Sequence, residues 1–572
     1  MLHVPDDKKQ LLAFANDTIE KCRISVGQRA AYCRLMNAIT ETGRYNGQKS
    51  LINMMHSHLA RAACHLFSPV ELKFSLDYDR VYPLKYYQMG GVVAKQLTRQ
   101  WQRTSTDKMF ARGVFDSLKY GASILKQWVQ VEGPKQKPAY YAKLTMPWLF
   151  GVYNESENDL DRQAAMCETS SVTLAEVWRR ICHLPDAKKL YERIRSHAMT
   201  GLAVDSPQSY FHQVLSTSTI QTGVDGGGST IPGGIVQLNS DPNYSIMGPT
   251  VAAETVQVHE LWVQDDEDYT TILMIEPDIL IAPLYKKANL LGVPGRHPFT
   301  LIQPNEVSNW LWGRSELVDL IEPQALLSTL ADDAKRLTGL QVDKLLAFSG
   351  DNTITDEAYG QFRVAGYMNL NGGGKVEDLT PKFPVELIEM IKFTIQEINT
   401  LGSFPEILQG KGESGVRAGA HADTLLRTAA PTLRDRALAC ERQCVRAADL
   451  TLALKQAKDP TKYWIKADQL ADVAETSFMF TDIPEDYYVN VDSHSSSPIF
   501  ADENTQQVAF ALKAGIVDGE YAIDNLTLPN KEGAKISLRE KQKREAAQMQ
   551  NMMQANPEMG QKVMEKKMVG GR

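Results

Sequence analysis

Trp312-Gly313-Arg314-Ser315-Glu316-Leu317-Val318-Asp319-Leu320-Ile321-Glu322-Pro323-Gln324 is where the chain changes character. The Gly313-Arg314-Ser315 step predicts a helix running to about Leu340, with Pro323 at an N-terminal boundary or a kink. A turn-rich stretch, 341–382, carries Gly350-Asp351-Asn352 and Gly372-Gly373-Gly374. Pro384 then opens a second helix, with Leu387, Ile391, Ile395 and Ile398 on one side and a stop at Gly402. The polar loop Gly410-Lys411-Gly412-Glu413-Ser414-Gly415 leads into a long helical segment, about Ala418 to Lys458, kinked by Pro431. At 1.5 Å per residue that segment would be roughly 60 Å long, and a helix longer than a small domain is wide usually crosses an assembly.

Upstream, residues 1 to about 115 read as helical: apolar residues fall three to four apart over Asp17–Leu35 and Leu51–Leu66, and Gln88–Trp101 is a third such stretch. From Ala122 the period changes to that of strands, Ala122–Glu132, Ala139–Thr145 and Leu149–Tyr153, separated by Gly133-Pro134 and Met146-Pro147. Thr173 with Glu176 three residues later forms a capping box that opens a helix to about His183, and Pro185-Asp186 opens another to about Ala198. Residues 222–249, dense in glycine and proline, read as a long loop or insertion. Thr255–Val263 and Thr270–Ile275 predict a hairpin across Asp265–Asp268, followed by strands near Ile279 and at Phe299–Ile302. Beyond the long helix come strands around Phe478 and at Tyr487–Val491, then helices Thr505–Ala514 and Ser537–Met553. The fold class expected is α+β, without internal repeats.

The 572 residues carry 62 Lys and Arg against 69 Asp and Glu, a net charge of -7. This argues against a protein that clings to nucleic acid through overall positive charge, so DNA contact must come from local patches or stay loose. Seven scattered cysteines imply no disulfide framework and a reducing compartment. Met1–Glu20 mixes acids and lysines before any apolar run and is not expected to be a secretory signal. The most apolar window, Thr270–Tyr285, is cut by Glu276, Pro277 and Asp278, so no membrane span is expected.

Motifs of chemistry fail on spacing. Gly372-Gly373-Gly374-Lys375 has Asn369 and Val376 where a phosphate loop needs Gly and Ser or Thr, and Gly410-Lys411 has Pro405 and Gly412 at the corresponding places. His56 and His58 face different ways on a helix, and with Cys64-His65 they read as packing or surface residues. Cys440 and Cys444 lie on the stripe Leu426, Ala430, Leu433, Ala437, Cys440, Cys444, Ala448, the buried face of a helix. No cofactor is expected, and nothing argues for an enzyme.

Three features together resemble the portal, or head-to-tail connector, proteins of tailed bacteriophages. Tyr120-Gly121-Ala122-Ser123-Ile124-Leu125-Lys126 looks like the family's glycine-started strand, with Pro147-Trp148-Leu149-Phe150 as its following step. Trp312–Gln324 resembles the family's Gly-Arg-Ser approach to a channel helix. Helix, turn-rich module, helix, glycine loop and long kinked helix then follow in the family's order. The resemblance spans about residues 50–530; the stretch 222–249 departs from it. It implies a mixed wing (1–311 and 419–500), a stem helix (312–340), a clip (341–382), a second stem helix (383–401), a tunnel loop (402–418) and a helical crown with tail (501–572). It further implies a homo-dodecamer at one capsid vertex through which double-stranded DNA passes. The partners implied are major capsid and scaffolding proteins, the large terminase subunit and head-tail adaptor or tail proteins, with no membrane. Two alternatives are another ring- or shell-forming virion protein and a nucleic-acid-processing enzyme.

By position, the resemblance implies that Lys411, Glu413 and Arg417 line the tunnel loop and that Glu316, Asp319, Asp332, Asp333, Lys335 and Arg336 face the channel from the stem. Acids there would repel phosphates and let DNA slide. Residues 531–572 hold ten Lys or Arg against five Glu, and Arg539, Lys541, Lys543 and Arg544 form a basic segment expected to gain order among copies of itself.

Overall fold

The computed structural model describes residues 2–44, 50–70, 72–132, 137–182, 186–200, 254–266, 268–275, 279–282, 288–342, 346–349, 375–402, 431–465, 476–484, 486–491, 508–519, 522–523, 537–538, 541 and 543–544. In chain order the elements are α1 (Lys8–Cys22), α2 (Val26–Thr42), α3 (Met55–Leu66), β1 (Phe74–Tyr78), α4 (Leu84–Arg103), α5 (Thr106–Tyr120), β2 (Ser123–Glu132) and β3 (Lys137–Thr145). Next come β4 (Phe150–Val152), β5 (Ala165–Thr173), α6 (Leu174–Ile181), α7 (Ala187–Arg195), β6 (Met199–Thr200), β7 (Glu254–Asp265), β8 (Asp268–Ile275), β9 (Ile279–Ala282) and β10 (Phe299–Ile302). The last group is α8 (Ile321–Val342), β11 (Leu346–Ser349), β12 (Lys375–Asp378), α9 (Val385–Leu401), α10 (Pro431–Lys458), β13 (Tyr463–Ile465), β14 (Thr476–Phe478) and β15 (Tyr487–Val491). Helix and antiparallel sheet are mixed, as an α+β chain requires.

Two compact units share the chain. The first comprises 1–63 and 104–460, the second 64–103 and 461–572. In the first unit, β4-β5-β7-β8-β9 form an antiparallel sheet to which β6 adds beside β7, and β10-β2-β3 form a second sheet. Strand periodicity separates the faces of the larger sheet. Cys167, Leu261, Val263, Ile272 and Met274 bury one face under Leu11, Ala15, Ile19 and Cys22 of α1. On the opposite face Val256, Val258, Leu273 and Ile275 pack with α6 and α7, while Met166 and Trp262 join Phe150, Phe299, Trp312 and Leu450 in a separate cluster. α10 crosses the smaller sheet, where the Gln443 side-chain amide both accepts from the Gln303 N–H and donates to the Gln303 carbonyl, each at 2.9 Å. Leu433, Ala437, Cys440, Cys444 and Ala448 on α10 are all fully buried.

The second unit brings distant segments together: β1 pairs antiparallel with β15, Phe74 opposite Val491 and Tyr78 opposite Tyr487. α4 packs on β1, and β13 pairs with β14. Residues 508–513 are helical and Gly515 follows in the left-handed region.

The hairpin β7–β8 forms as expected, and Thr173 caps α6 by accepting from the Glu176 N–H. Three expectations need correction. Asp17–Leu35 is not one helix: α1 ends at Cys22, and the turn lets Ser25 and Arg29 reach Glu155. β1 lies inside the region read as helical. β5 went unseen because Glu168, buried at mid-strand, hides the apolar alternation; Lys126 (2.5 Å), Lys143 (3.4 Å) and the Thr145 hydroxyl (2.7 Å) compensate it. Burial would push the Glu168 carboxyl up, but the two ammonium groups hold it below the usual carboxylate range.

Candidate functional site

α8 and α9 pack on each other as a two-helix arm whose far ends lead into the antiparallel ribbon β11–β12. Pro384 precedes α9 and Gly402 closes it, as the sequence predicts. At the outer end the Gln341 amide donates to the Pro381 carbonyl. The inner ends meet at a root where the three stretches that carried the family resemblance converge.

Backbone geometry makes that root. Gly121 (φ 97°) ends α5, and a Cβ on it would lie 2.5 Å from the Trp312 carbonyl oxygen. Gly313 (φ 61°) faces it, with the Asn305 carbonyl at 2.7 Å and the Gly121 carbonyl at 2.8 Å from its own hypothetical Cβ. Both left-handed backbones and the missing side chains are needed for the segments to touch. The Glu316 N–H then donates to the Leu118 carbonyl at 2.8 Å, and the Ser315 hydroxyl donates to the same oxygen at 3.2 Å. Trp312 sits beneath the Arg29 guanidinium, 3.5 Å from ring centre, and its indole N–H donates to Glu155 at 2.8 Å. Trp148 meets Tyr120 edge-on at 5.6 Å, and Phe150 meets Trp312 at 6.5 Å.

Residues 312–317 therefore form a clamped loop, and the regular helix begins only at Ile321, with Pro323 in its first turn where no N–H partner is lost. Glu316, which the resemblance implies faces a channel, is buried within this chain: its side chain is 6 % exposed and accepts from Arg436 at 2.8 Å and Asn305 at 3.0 Å, with His58 Nε2 at 3.7 Å. Burial alone would push the Glu316 carboxyl up; His58, Arg436 and Asn305 outweigh it and hold it at about 2. A Cβ at Gly402 would overlap the His58 ring, so the end of α9 closes onto the same node.

One turn further, the Gln324 amide donates to the Ile52 carbonyl at 2.8 Å and accepts from the Met54 N–H at 3.1 Å. Ser328 takes the Ser50 hydroxyl at 2.8 Å. Of the other residues on and before α8 named in the sequence reading, Asp319 is exposed and paired with Arg314, and Asp332 is exposed and paired with Arg44. Asp333 is half-buried, while Lys335 and Arg336 are exposed. Lys411, Glu413 and Arg417 lie outside the described residues, as does Arg539; Lys541, Lys543 and Arg544 are exposed. Sequence reading took His58 for a packing or surface residue, and the structure buries it completely; Arg436 and Asn305 were missed, because nothing local pointed to them as partners of Glu316. Among the described residues no group of three or more His, Cys, Asp or Glu is placed to hold a metal. The root's charges are matched to one another, which suits it to holding two helices at a set angle.

The outer arm is different. α9 buries only Thr394 and Ile398, while Val385, Ile388, Met390 and Phe393 are exposed, Phe393 at 62 %. Leu326 of α8 and Leu379 before α9 add to this apolar surface. The chain matches no protein-family model, and no curated protein matches it. No helix among the described residues is long and apolar enough to cross a membrane.

Proposed function

We propose that this chain is the subunit of a phage portal: a ring of twelve copies at one capsid vertex, a channel for packaging and ejecting double-stranded DNA, and not an enzyme. The observation that carries the reading is the two-helix arm, rigidly rooted yet apolar on the outside. A monomer gains nothing by exposing Val385, Ile388, Met390 and Phe393 on one 17-residue helix. Neighbouring copies of the arm, related by rotation, would cover that surface in a closed ring. The convergence of the Gly121, Phe150 and Gly313 stretches on one root adds support, because three motifs far apart in sequence serve one structural purpose. In this reading the ribbon β11–β12 belongs to the clip, which meets the packaging motor and then the tail adaptor. The wing meets capsid and scaffolding proteins, and the protein works in the virion after assembly in the host cytoplasm.

Mass photometry of the purified chain tests this directly. Twelve copies of a 63.8 kDa chain give roughly 770 kDa, and electron microscopy of the same sample should show closed rings with an axial opening. Monomers and dimers alone, at micromolar concentration and low salt, would sink the proposal. Lys411→Ala with Arg417→Ala, and separately deletion of 536–572, should leave rings intact and alter DNA packaging or retention. Loss of rings in either would place that segment in the subunit interface.

A further inference from the structure

Among the described residues α4 packs by one face and leaves the other open. Met89, Val93, Leu97 and Trp101 are buried, with Trp101 edge-on to Phe74 at 5.0 Å. At Gly90 the Leu76 carbonyl lies 3.3 Å from the place of a Cβ, which sets how closely the helix sits on β1. The outer face carries Lys85, Lys95, Arg99 and Arg103, all exposed. No Asp or Glu occurs between Val81 and Thr106, in a chain that is acidic as a whole.

Helix geometry lines these cations up. Lys95, Arg99 and Arg103 are i, i+4 and i+8, about 6 Å apart, and Lys85 lies five turns before Arg103 on the same line, so the row is roughly 27 Å long. Among the described residues none of the four is in an ion pair. Helix stability does not explain them: a cation in the last turn complements the helix dipole, which accounts for Arg103, but Lys85 stands in the first turn, at the unfavourable end. Solubility would be served as well by acids, and Glu four residues before Lys would support the helix, yet no acid is present. Gly91 lies beside the row with nothing within 4 Å of its missing Cβ. Glycine is a costly choice inside a helix, packing does not demand it here, and it leaves bare backbone for another chain to approach.

We propose that the outer face of α4 binds the sugar-phosphate backbone of nucleic acid without reading its bases. Four unpaired cations in a row match a polymer of evenly spaced negative charge, and the amides of Gln96 and Gln102 flank the row as further donors to phosphate. The row is close in length to one turn of a DNA duplex, about 34 Å. A membrane is the poorer fit, because the apolar side of this helix is already buried on the protein and the aliphatic Val92 on the outer side is half-buried. The inference stands on this charge row and does not require ring formation.

The experiment uses the full chain and a fluorescent 30-base-pair duplex of mixed sequence, with anisotropy titrations between 50 and 200 mM salt. Lys85→Gln, Lys95→Gln, Arg99→Gln and Arg103→Gln are combined in one variant; Gln is a good helix former, and circular dichroism checks the fold. The expected result is at least a tenfold loss of affinity at 50 mM salt. The slope of log K against log salt should become shallower by about 0.9 for each phosphate that the variant no longer neutralises, so by roughly 3 to 4. Gly91→Glu supplies an independent arm, placing an acid beside the row in open space, and should weaken binding severalfold without lowering the melting temperature. An unchanged slope in both variants overturns the proposal. So does competition by polyglutamate as effective as that of DNA at equal charge, which would mark an acidic-protein site, or equal loss of binding to anionic vesicles. Mass photometry of the same samples separates the two ideas: rings with unaltered DNA binding sink only this one, and α4-dependent binding without rings sinks only the portal reading.

Discussion

At the root of the two-helix arm Glu316, Gln324 and Ser328 are buried among hydrogen-bond partners from α3, α10 and the 50–54 segment, whereas along α9 Val385, Met390 and Phe393 stand in solvent. The same pair of helices is thus finished at one end by its own chain and left open along its length. Buried charge with matched partners fixes direction, because a misplaced helix would strand Glu316 or Arg436. Exposed apolar surface fixes nothing within one chain and is stabilised only when something covers it. Mutations at the two places should therefore fail in different ways.

The largest effect is expected at the root. Glu316→Ala takes the acceptor from the half-buried Arg436 and from Asn305 and leaves a gap at a buried node, and should cost about 3–4 kcal/mol, read from chemical denaturation followed by Trp fluorescence. A loss under 1 kcal/mol would show that the node is solvated and the contrast with the outer arm false. Gly121→Ala comes next: a left-handed backbone and a Cβ 2.5 Å from the Trp312 oxygen together predict about 3 kcal/mol.

Two buried acids sharpen the comparison through pH. Glu316 is held near 2, below its unfolded value, so its contribution is present above about pH 4.5 and disappears as pH falls toward 2. Asp116 on α5 has the opposite sign: burial first, only partly offset by Lys119 and Arg112, pushes it up to about 6. Its neutral form suits the fold, so stability is lost as pH rises from about 4 through 6. Asp116→Asn should then stabilise at pH 7.5 by on the order of 1–3 kcal/mol and flatten the profile between pH 4 and 6. A variant with the wild-type profile there would show that Asp116 ionises freely.

On the outer arm, Phe393→Glu should change the stability of the chain by no more than about 0.5 kcal/mol, because the side chain is already in water. If the chain assembles as proposed, the same variant should abolish high-mass species in mass photometry, and rings that survive it would remove this helix from the proposed interface. The smallest expected effect is Gly91→Ala on α4, a gain of about 0.5–1 kcal/mol in thermal melts, since a Cβ there meets nothing.

What could be read from residues alone follows one rule: elements whose signals are local were legible. Thr173 with Glu176 opens α6, Pro384 and Gly402 bracket α9, and the acidic turn joins β7 to β8. β5 escaped because Glu168 is satisfied by Lys126, 42 residues away, and no window along the strand contains that partner. The burial of Glu316 was hidden for the same reason: its ion pair comes from Arg436, 120 residues on, and without it an acid near a helix start looks like a solvated one. The convergence of Gly121, Phe150 and Gly313 was invisible as geometry, although each stretch stood out in the sequence.

The sequence by itself determined the periodicities, caps and breakers, and hence an α+β chain with two helices bracketing a turn-rich module. These are interactions within a few residues, and their energies are set by spacing alone. Only the tertiary structure decided which charges are buried, which glycines are contacts and which helix faces stay open. Each of those depends on groups brought together by the fold from opposite ends of the chain, as when β1 finds β15 or Gln324 finds Ile52, 272 residues away.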